Sequence, residues 1–347
     1  MPKNVTNNDR KKGMSEKTKP LLDDPKAWAA KESNKGSNAL KHAERITSLS
    51  GLKKRSRQMS SYMLETSKNP LDSKTACEVA ACSTWLVFNH YYTVDEVRLS
   101  KARTCKKHLL CPVCAKIRSV KQAIKYMERL EVVLTDCPTI VPAMLTITVK
   151  NGHDLKERFE HLSSSFKKYQ QRRRDWFKKG RGFNELCRTT GGVFSYEFTK
   201  SEKGWHPHLH AVVLLDSKID IHKLSDEWKD ITGDSYIVDI RKLKPNKTQD
   251  IADAFLEVFK YALKFSELDL SDNLDAYMQL RGKRLQGAYG DFWGVVVPDK
   301  MTDDLLDNLP YIELFYKYIS GKGYNLENTK KHMERLDLTA LEEDCLY

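Results

Sequence analysis

The stretch Trp205-His-Pro-His-Leu-His-Ala-Val-Val-Leu-Leu215 constrains this chain more than any other. Side chains of a strand point alternately to its two faces. His206, His208 and His210 therefore share one face, and Leu209, Ala211 and Val213 share the other, where a core can cover them. Residues 192–200 read as a second strand, and Ser201-Glu-Lys-Gly204 has the length and composition of a hairpin loop between the two. Closing the hairpin there sets Lys200 opposite Trp205 and, counting back, Glu197 opposite His208, with its carboxylate on the histidine face. A loop one residue different in length would turn Glu197 to the other face. Three imidazoles on one face are costly to bury without a partner, and a divalent metal satisfies them. Two imidazoles and a carboxylate, with other positions open to water or phosphate oxygens, suit Mg²⁺, Mn²⁺ or another divalent Lewis acid. The plainer alternative is a polar sheet face with incidental histidines.

The hairpin belongs to a longer alternation. Residues 143–149 read as a strand, 154–179 as a helix, 221–232 as a helix, 236–243 as a strand and 248–265 as a helix. The order β-α-β-β-α-β with a further helix predicts an α+β domain: an antiparallel sheet of about five strands backed by helices, the split βαβ arrangement. That topology hosts many activities, so function must be argued from the site. The helix over 154–179 puts Leu155, Phe159, Leu162, Phe166, Tyr169 and Trp176 on one stripe. Its other side carries Arg172, Arg173, Arg174, Lys178 and Lys179, which we read as DNA-binding. Composition and patterning divide the chain into four regions: a basic, flexible arm, largely disordered or loosely helical (1–70), a cysteine-rich region and helix (71–136), the strand-and-helix domain (137–300) and an acidic helical tail (301–347).

In the segment 250–265, Ile251, Phe255, Val258, Ala262 and Phe265 form an apolar stripe, and Glu257, Tyr261 and Lys264 fall beside it at helical spacing. The bland alternative is a solvated face with a Glu–Lys pair. Joined to the histidine strand, these residues suggest a reaction. A tyrosine phenolate attacks a metal-polarised phosphodiester and forms a covalent phosphotyrosine, leaving a free 3′-hydroxyl. Lys264 stabilises the developing negative charge, and Glu257 positions water or a hydroxyl for a second transfer. The phosphodiester energy stays in the covalent link, and the chain has no GxxxxGK[ST] loop for a nucleotide.

These pieces make the chain resemble the HUH endonucleases, specifically rolling-circle plasmid replication initiators of the Rep_1 type. Met144-Leu-Thr-Ile-Thr148 looks like the first motif of that family, His208-Leu-His210 like its His–hydrophobic–His motif, and Phe259-Lys-Tyr-Ala-Leu-Lys264 like its tyrosine motif. The similarity runs over roughly 77–294 and includes Cys-Pro-Val-Cys114 and Leu280-Arg-Gly-Lys-Arg284. The resemblance implies that Tyr261 is the nicking nucleophile, that His208, His210 and Glu197 hold Mg²⁺ or Mn²⁺, and that Glu257 helps release the enzyme at termination. It leaves open a second tyrosine such as Tyr277 or Tyr289. It also implies a plasmid double-strand origin, single-stranded at the nick, as substrate, with host helicase and polymerase as partners. A conjugative relaxase would place its tyrosine before the histidines, and a single-tyrosine transposase is usually smaller and lacks the cysteine region. A non-catalytic zinc-containing origin binder would need the whole constellation to be vestigial.

Cys105, Cys111 and Cys114 need a fourth ligand to close a tetrahedral Zn²⁺ site. Cys82 fits the family's upstream cysteine, with Cys77 and His108 as alternates. Charge agrees with a DNA partner: Lys+Arg 59 against Asp+Glu 47 gives +12, and residues 1–70 alone hold 16 basic against 7 acidic side chains. No apolar run approaches the roughly 20 residues that cross a bilayer, and the N-terminus lacks a signal-peptide core, so a cytoplasmic protein without membrane partners is expected.

Overall fold

The computed structural model describes residues 38–67, 69–244, 248–260, 262–263, 265, 268–294 and 309–332. Its central element is the expected hairpin. Strands β4 (Thr189–Ser201) and β5 (Gly204–Leu215) pair with Lys200 opposite Trp205 and Glu197 opposite His208. The turn needs glycine at position 204: φ is +90°, and a Cβ there would lie 2.5 Å from the Gly152 carbonyl oxygen.

Three further strands complete an antiparallel sheet in the order β6-β3-β5-β4-β7, with β3 at Val141–Thr148, β6 at Val238–Lys242 and β7 at Gln286–Gly290. Its two faces are covered by different helices, labelled here by their position in the chain. On the face of Leu145, Leu209, Ala211 and Val213 lie α4 (Leu155–Lys179) and α5 (Ile221–Thr232), which bring Phe159, Phe166 and Trp228 to the core. Both helices start on an aspartate, Asp154 and Asp220, whose side chain accepts from the first-turn N–H groups. Both end on a left-handed glycine, Gly180 and Gly233. The opposite face, with Met144, Val193, Val212 and Leu214, packs against Met127 and Leu130 of α3 (Pro112–Asp136) and Ile251 and Phe255 of α6 (Thr248–Val258). Truncating a side chain as buried as Phe255 to alanine costs about 3–5 kcal/mol. A last helix, α7 (Leu270–Leu280), leads into β7.

Ahead of this sheet the expected arm over 1–70 is corrected for its described part. Residues Asn38–Thr66 form one long helix, α1, which packs against α2 (Pro70–Ala81). Its buried positions include Leu49, Lys53, Ser56, Met59 and Met63, so tertiary packing holds a helix that composition alone would leave loose. Lys53 donates to the carbonyls of Ala80 and Cys82. Residues 1–37 lie outside the described set. A second antiparallel sheet, β2-β1-β8-β9, was also not foreseen. Strands β1 (Trp85–Tyr91) and β2 (Glu96–Ala102) come from the cysteine region, and β8 (Tyr311–Ile319) and β9 (Gly323–His332) come from the tail expected to be helical. Leu86, Phe88, Leu314 and Tyr316 form its inner face and pack on Ile46 and Leu49 of α1. Among the described residues no helix is long and apolar enough to cross a membrane.

Candidate functional site

One face of β5 changes character along its length. Val212 and Leu214 pack with α3 and α6, and toward the hairpin the same face continues as His210, His208 and His206. Register fixes their neighbours. Thr146 and Ser195 flank His210 on the adjacent strands, and Thr148 and Glu197 flank His208. The His210 ring is held from both sides, with Nδ1 3.1 Å from Thr146 Oγ1 and Nε2 2.9 Å from Glu197 Oε2. Both members of the His210–Glu197 pair are buried. The His208 ring lies parallel to that of His210 with centroids 5.7 Å apart, and the His206 ring is 4.1 Å beyond His208. Burial pushes the His206 imidazole below its ordinary pKa, favouring the neutral form.

Helix α6 delivers Glu257 in its last turn, and donor atoms of Glu197, His210 and Glu257 lie within 4.8 Å of one another. Two carboxylates and an imidazole converging on one point form a donor set for a hard or borderline divalent cation. The group differs from the expected His208, His210 and Glu197: Glu257 enters it, and His208 stands beside it. Lys260 Nζ lies 3.1 Å from the Glu257 carboxylate.

The expected helix over 248–265 stops at Val258. Leu263 instead forms a parallel bridge with Phe198, and the Phe198 N–H donates to Ala262 O at 2.9 Å, which draws the chain out of the helix alongside β4. The described residues after Val258 thus do not continue the helix on which Glu257, Tyr261 and Lys264 were expected to share a face. Tyr261 and Lys264 lie outside the described residues, while Tyr261's neighbours Lys260 and Ala262 are bound to Glu257 and Phe198. Tyr289 packs with the α4 side of the sheet, opposite the histidines; its hydroxyl is 3.3 Å from Thr189 Oγ1 and Arg173 lies over its ring.

A second group of donors comprises Cys82, Cys105, Cys111 and Cys114. Sulfur separations are 3.4 Å for Cys82–Cys114, 3.5 Å for Cys82–Cys111 and 3.6 Å for Cys105–Cys114, too long for a disulfide and close to the edges of a tetrahedral cage. The thiols share protons: hydrogen bonds from Cys105, then Cys111 and Cys114, pull the Cys82 thiol far below the usual range. Cys82 caps the C-terminus of α2, and Cys111 and Cys114 open α3. Cys77 is exposed and outside the cage. Ser56 Oγ of α1 lies 3.4 Å from Cys111 Sγ, so α1 braces the cage.

The basic stripe of α4 lies across the sheet from the histidines, and parts of it are engaged within the fold. Arg173 donates to the carbonyls of Thr189 and Thr190, Arg172 pairs with Asp230 at 2.8 Å, and Lys179 pairs with Asp175 at 3.1 Å. Residues not singled out from sequence are Thr146, Lys260 and the bracing Lys53. Thr146 was findable, because it shares face and register with His210 once the strands are aligned.

A sheet carrying an imidazole–carboxylate centre, joined to a four-cysteine cage, defines an α+β protein with two sites able to hold metal ions. The profile of the Rep_1 family, described as replication protein, matches residues 96–313, and the chain belongs to that family. It is 29% identical over 214 residues to "Protein rep" of Streptococcus pneumoniae serotype 2, covering 56% of this chain and 63% of that relative. It is 26% identical over 210 residues to "Protein rep" of Staphylococcus aureus, covering 54% of this chain and 82% of the relative. No solved structure matches the chain.

Proposed function

We propose that the chain is a plasmid rolling-circle replication initiator of the HUH endonuclease kind, which nicks one strand of its origin and later rejoins it. The observation that carries this reading is the convergence of Glu197, His210 and Glu257 within 4.8 Å in a chain of a replication-protein family. A divalent cation, Mg²⁺ or Mn²⁺, held by these residues with His208 beside them would polarise the scissile phosphodiester. Thr146 and the sheet hold His210 in place, so the centre is pre-organised before DNA arrives. Tyr261 supplies the nucleophile: its phenolate oxygen bonds to phosphorus as the bond to O3′ breaks, and the departing oxygen takes a proton to become the 3′-hydroxyl. Lys264 stabilises the phenolate, and Glu257 orients the hydroxyl or water that later resolves the 5′-phosphotyrosine. The four cysteines fit Zn²⁺ in a structural role, because Zn–S bonds of about 2.3 Å give sulfur separations of about 3.8 Å, slightly wider than those observed. Duplex origin DNA, a host helicase and a polymerase complete the reading, with the cytoplasm as its setting.

The test is incubation of supercoiled origin plasmid with the protein and Mn²⁺, scoring open-circular DNA and a protein–DNA adduct stable to denaturation. Both products should vanish in Tyr261→Phe and be strongly reduced in His210→Ala. Nicking that survives Tyr261→Phe would remove the nucleophile assignment, and binding without nicking in the wild type would favour a non-catalytic origin binder.

A further inference from the structure

Beside the imidazole–carboxylate centre the surface opens into a trough. A cavity of about 200 Å³ lies between the start of α3, the chain turn after α6 and the segment leading into β7. Its inner end is lined by Ser195, which faces His210 across the β4–β5 ladder, and by Lys260, which holds Glu257. Its walls carry Arg118, Lys283 and Arg284, and no acidic side chain among the described residues lines it. A second hollow of about 200 Å³ shares Arg118, Phe259, Arg284 and Gln286 with the first and continues past Tyr126 to Trp293. The two hollows thus form one path that runs from Ser195 and Lys260, neighbours of the candidate metal centre, to an indole on the surface.

The rim is fixed by the fold. Arg118 Nη2 donates to Gln286 Oε1 at 3.0 Å and Arg284 Nε donates to Gln286 O at 3.1 Å, which stations both guanidinium groups over the trough. Each retains further N–H groups suited to phosphate oxygens. Trp293 is 66% exposed, yet its backbone is anchored. Its N–H donates to Gly290 O at 2.7 Å, and the preceding Phe292 is fully buried, with Tyr126 and Phe255 against its ring. Cations along a groove and an exposed aromatic ring at its end are what a single strand of nucleic acid requires, the first for phosphates and the second for an unstacked base.

We propose that this trough seats one flank of the single strand that carries the scissile phosphate, with Arg118, Lys283 and Arg284 on its backbone and a base stacked on Trp293. The proposal rests on the nicking reading for its scissile phosphate, but its test needs neither metal nor cleavage. A fluorescein-labelled single-stranded oligonucleotide is titrated with full-length protein in EDTA, and polarisation is followed from low to moderate salt. Arg118→Ala/Arg284→Ala should weaken binding at least about tenfold and lower the salt slope by about 1.4, the value for two phosphate contacts on a single strand. Arg118→Lys/Arg284→Lys should keep most of the slope. Trp293→Ala should weaken binding roughly 5- to 100-fold, and Trp293→Phe should recover most of that loss.

Melting curves matching the wild type establish that the variants are folded. An unchanged affinity and slope in the double alanine variant overturns the proposal, as does a duplex of the same sequence that competes as well as the single strand. If the wild type forms no covalent adduct on origin plasmid while these binding effects appear, the nicking reading fails and the trough stands. If adduct forms and the binding effects are absent, only the trough fails.

Discussion

Replacing Thr146 by valine changes one oxygen next to the candidate metal centre and little else. Thr146 Oγ1 lies 3.1 Å from Nδ1 of His210, whose other nitrogen faces Glu197 at 2.9 Å. A hydroxyl can donate to Nδ1 or accept from it, so Thr146 stays bonded whichever nitrogen carries the proton. When Nε2 gives its lone pair to a metal, the proton must sit on Nδ1, and Thr146 accepts it. Valine leaves that N–H unpaired in a buried pocket. Losing a supporting hydrogen bond of this kind lowers metal affinity about 10- to 100-fold, equivalent to about 1.4–2.7 kcal/mol. The strand itself should tolerate the change, because valine has the same branched shape and a good strand preference. The assay is the initial rate of plasmid nicking against Mn²⁺ concentration. Its midpoint should rise at least about tenfold while the rate at saturating Mn²⁺ falls by no more than about threefold. Thr146→Ser should return the midpoint most of the way. An unchanged midpoint for valine, or a lost saturating rate at the old midpoint, would refute the argument that Thr146 acts through His210.

Gly204→Ala should destabilise the protein by about 2–4 kcal/mol, since φ is +90° and the new Cβ meets the Gly152 carbonyl at 2.5 Å; an unchanged urea midpoint would count against the tight turn. Cys111→Ser should release one equivalent of tightly bound metal, measured by elemental analysis after dialysis, and lower the melting temperature. Retained stoichiometry would disprove the cage. His42, whose ring nitrogen is 3.1 Å from the Tyr316 hydroxyl, has its pKa lowered to about 4 by burial and by the neighbouring Arg45 and His90. The unfolded chain therefore takes up the proton first as pH falls, and stability present above about 6.5 is lost between 6.5 and about 4. Solvent screening reduces the effect to about 1–2 kcal/mol. Denaturant midpoints at pH 7 and 5 should converge in His42→Phe relative to wild type.

Sequence resolved the centre of the fold better than its edges. The hairpin count that put Glu197 opposite His208 needed only loop length and strand alternation, both local, and the register agrees. Of the four cysteines drawn together from 82–114, spacing marked Cys105, Cys111 and Cys114, and the family resemblance added Cys82. What escaped was set by distant contacts. Nothing local ends α6 at Val258, because apolar spacing continues through Phe259 and Ala262; the bridge of Leu263 to Phe198 ends it. Helix α1 was obscured because its buried stripe includes the polar Lys53 and Ser56, and the carbonyls that take up the Lys53 charge lie outside the helix. Strand β8 was partly legible: Ile312, Leu314, Tyr316 and Tyr318 share one face, but Tyr311, Phe315 and Ile319 make the other face apolar too and blur the period of two. The place of Glu257 beside Glu197 and His210 depends on how α6 crosses the sheet, which periodicity alone does not encode.

The pairing of β1 with β8 has a consequence for how the chain leaves the ribosome. Trp85 sits opposite Lys317 and Phe88 opposite Leu314, so a strand made early waits for one made after the whole five-stranded sheet. Until then β1 has β2 on one side and an open edge on the other, with Leu86 and Phe88 depending on α1 for cover. A nascent chain released before β8 would carry all three residues of the imidazole–carboxylate centre and all four cysteines, together with an unpaired strand able to recruit a second chain. Premature termination would thus leave both groups of metal-binding side chains in a chain with an open strand edge, which β8 covers in the finished protein.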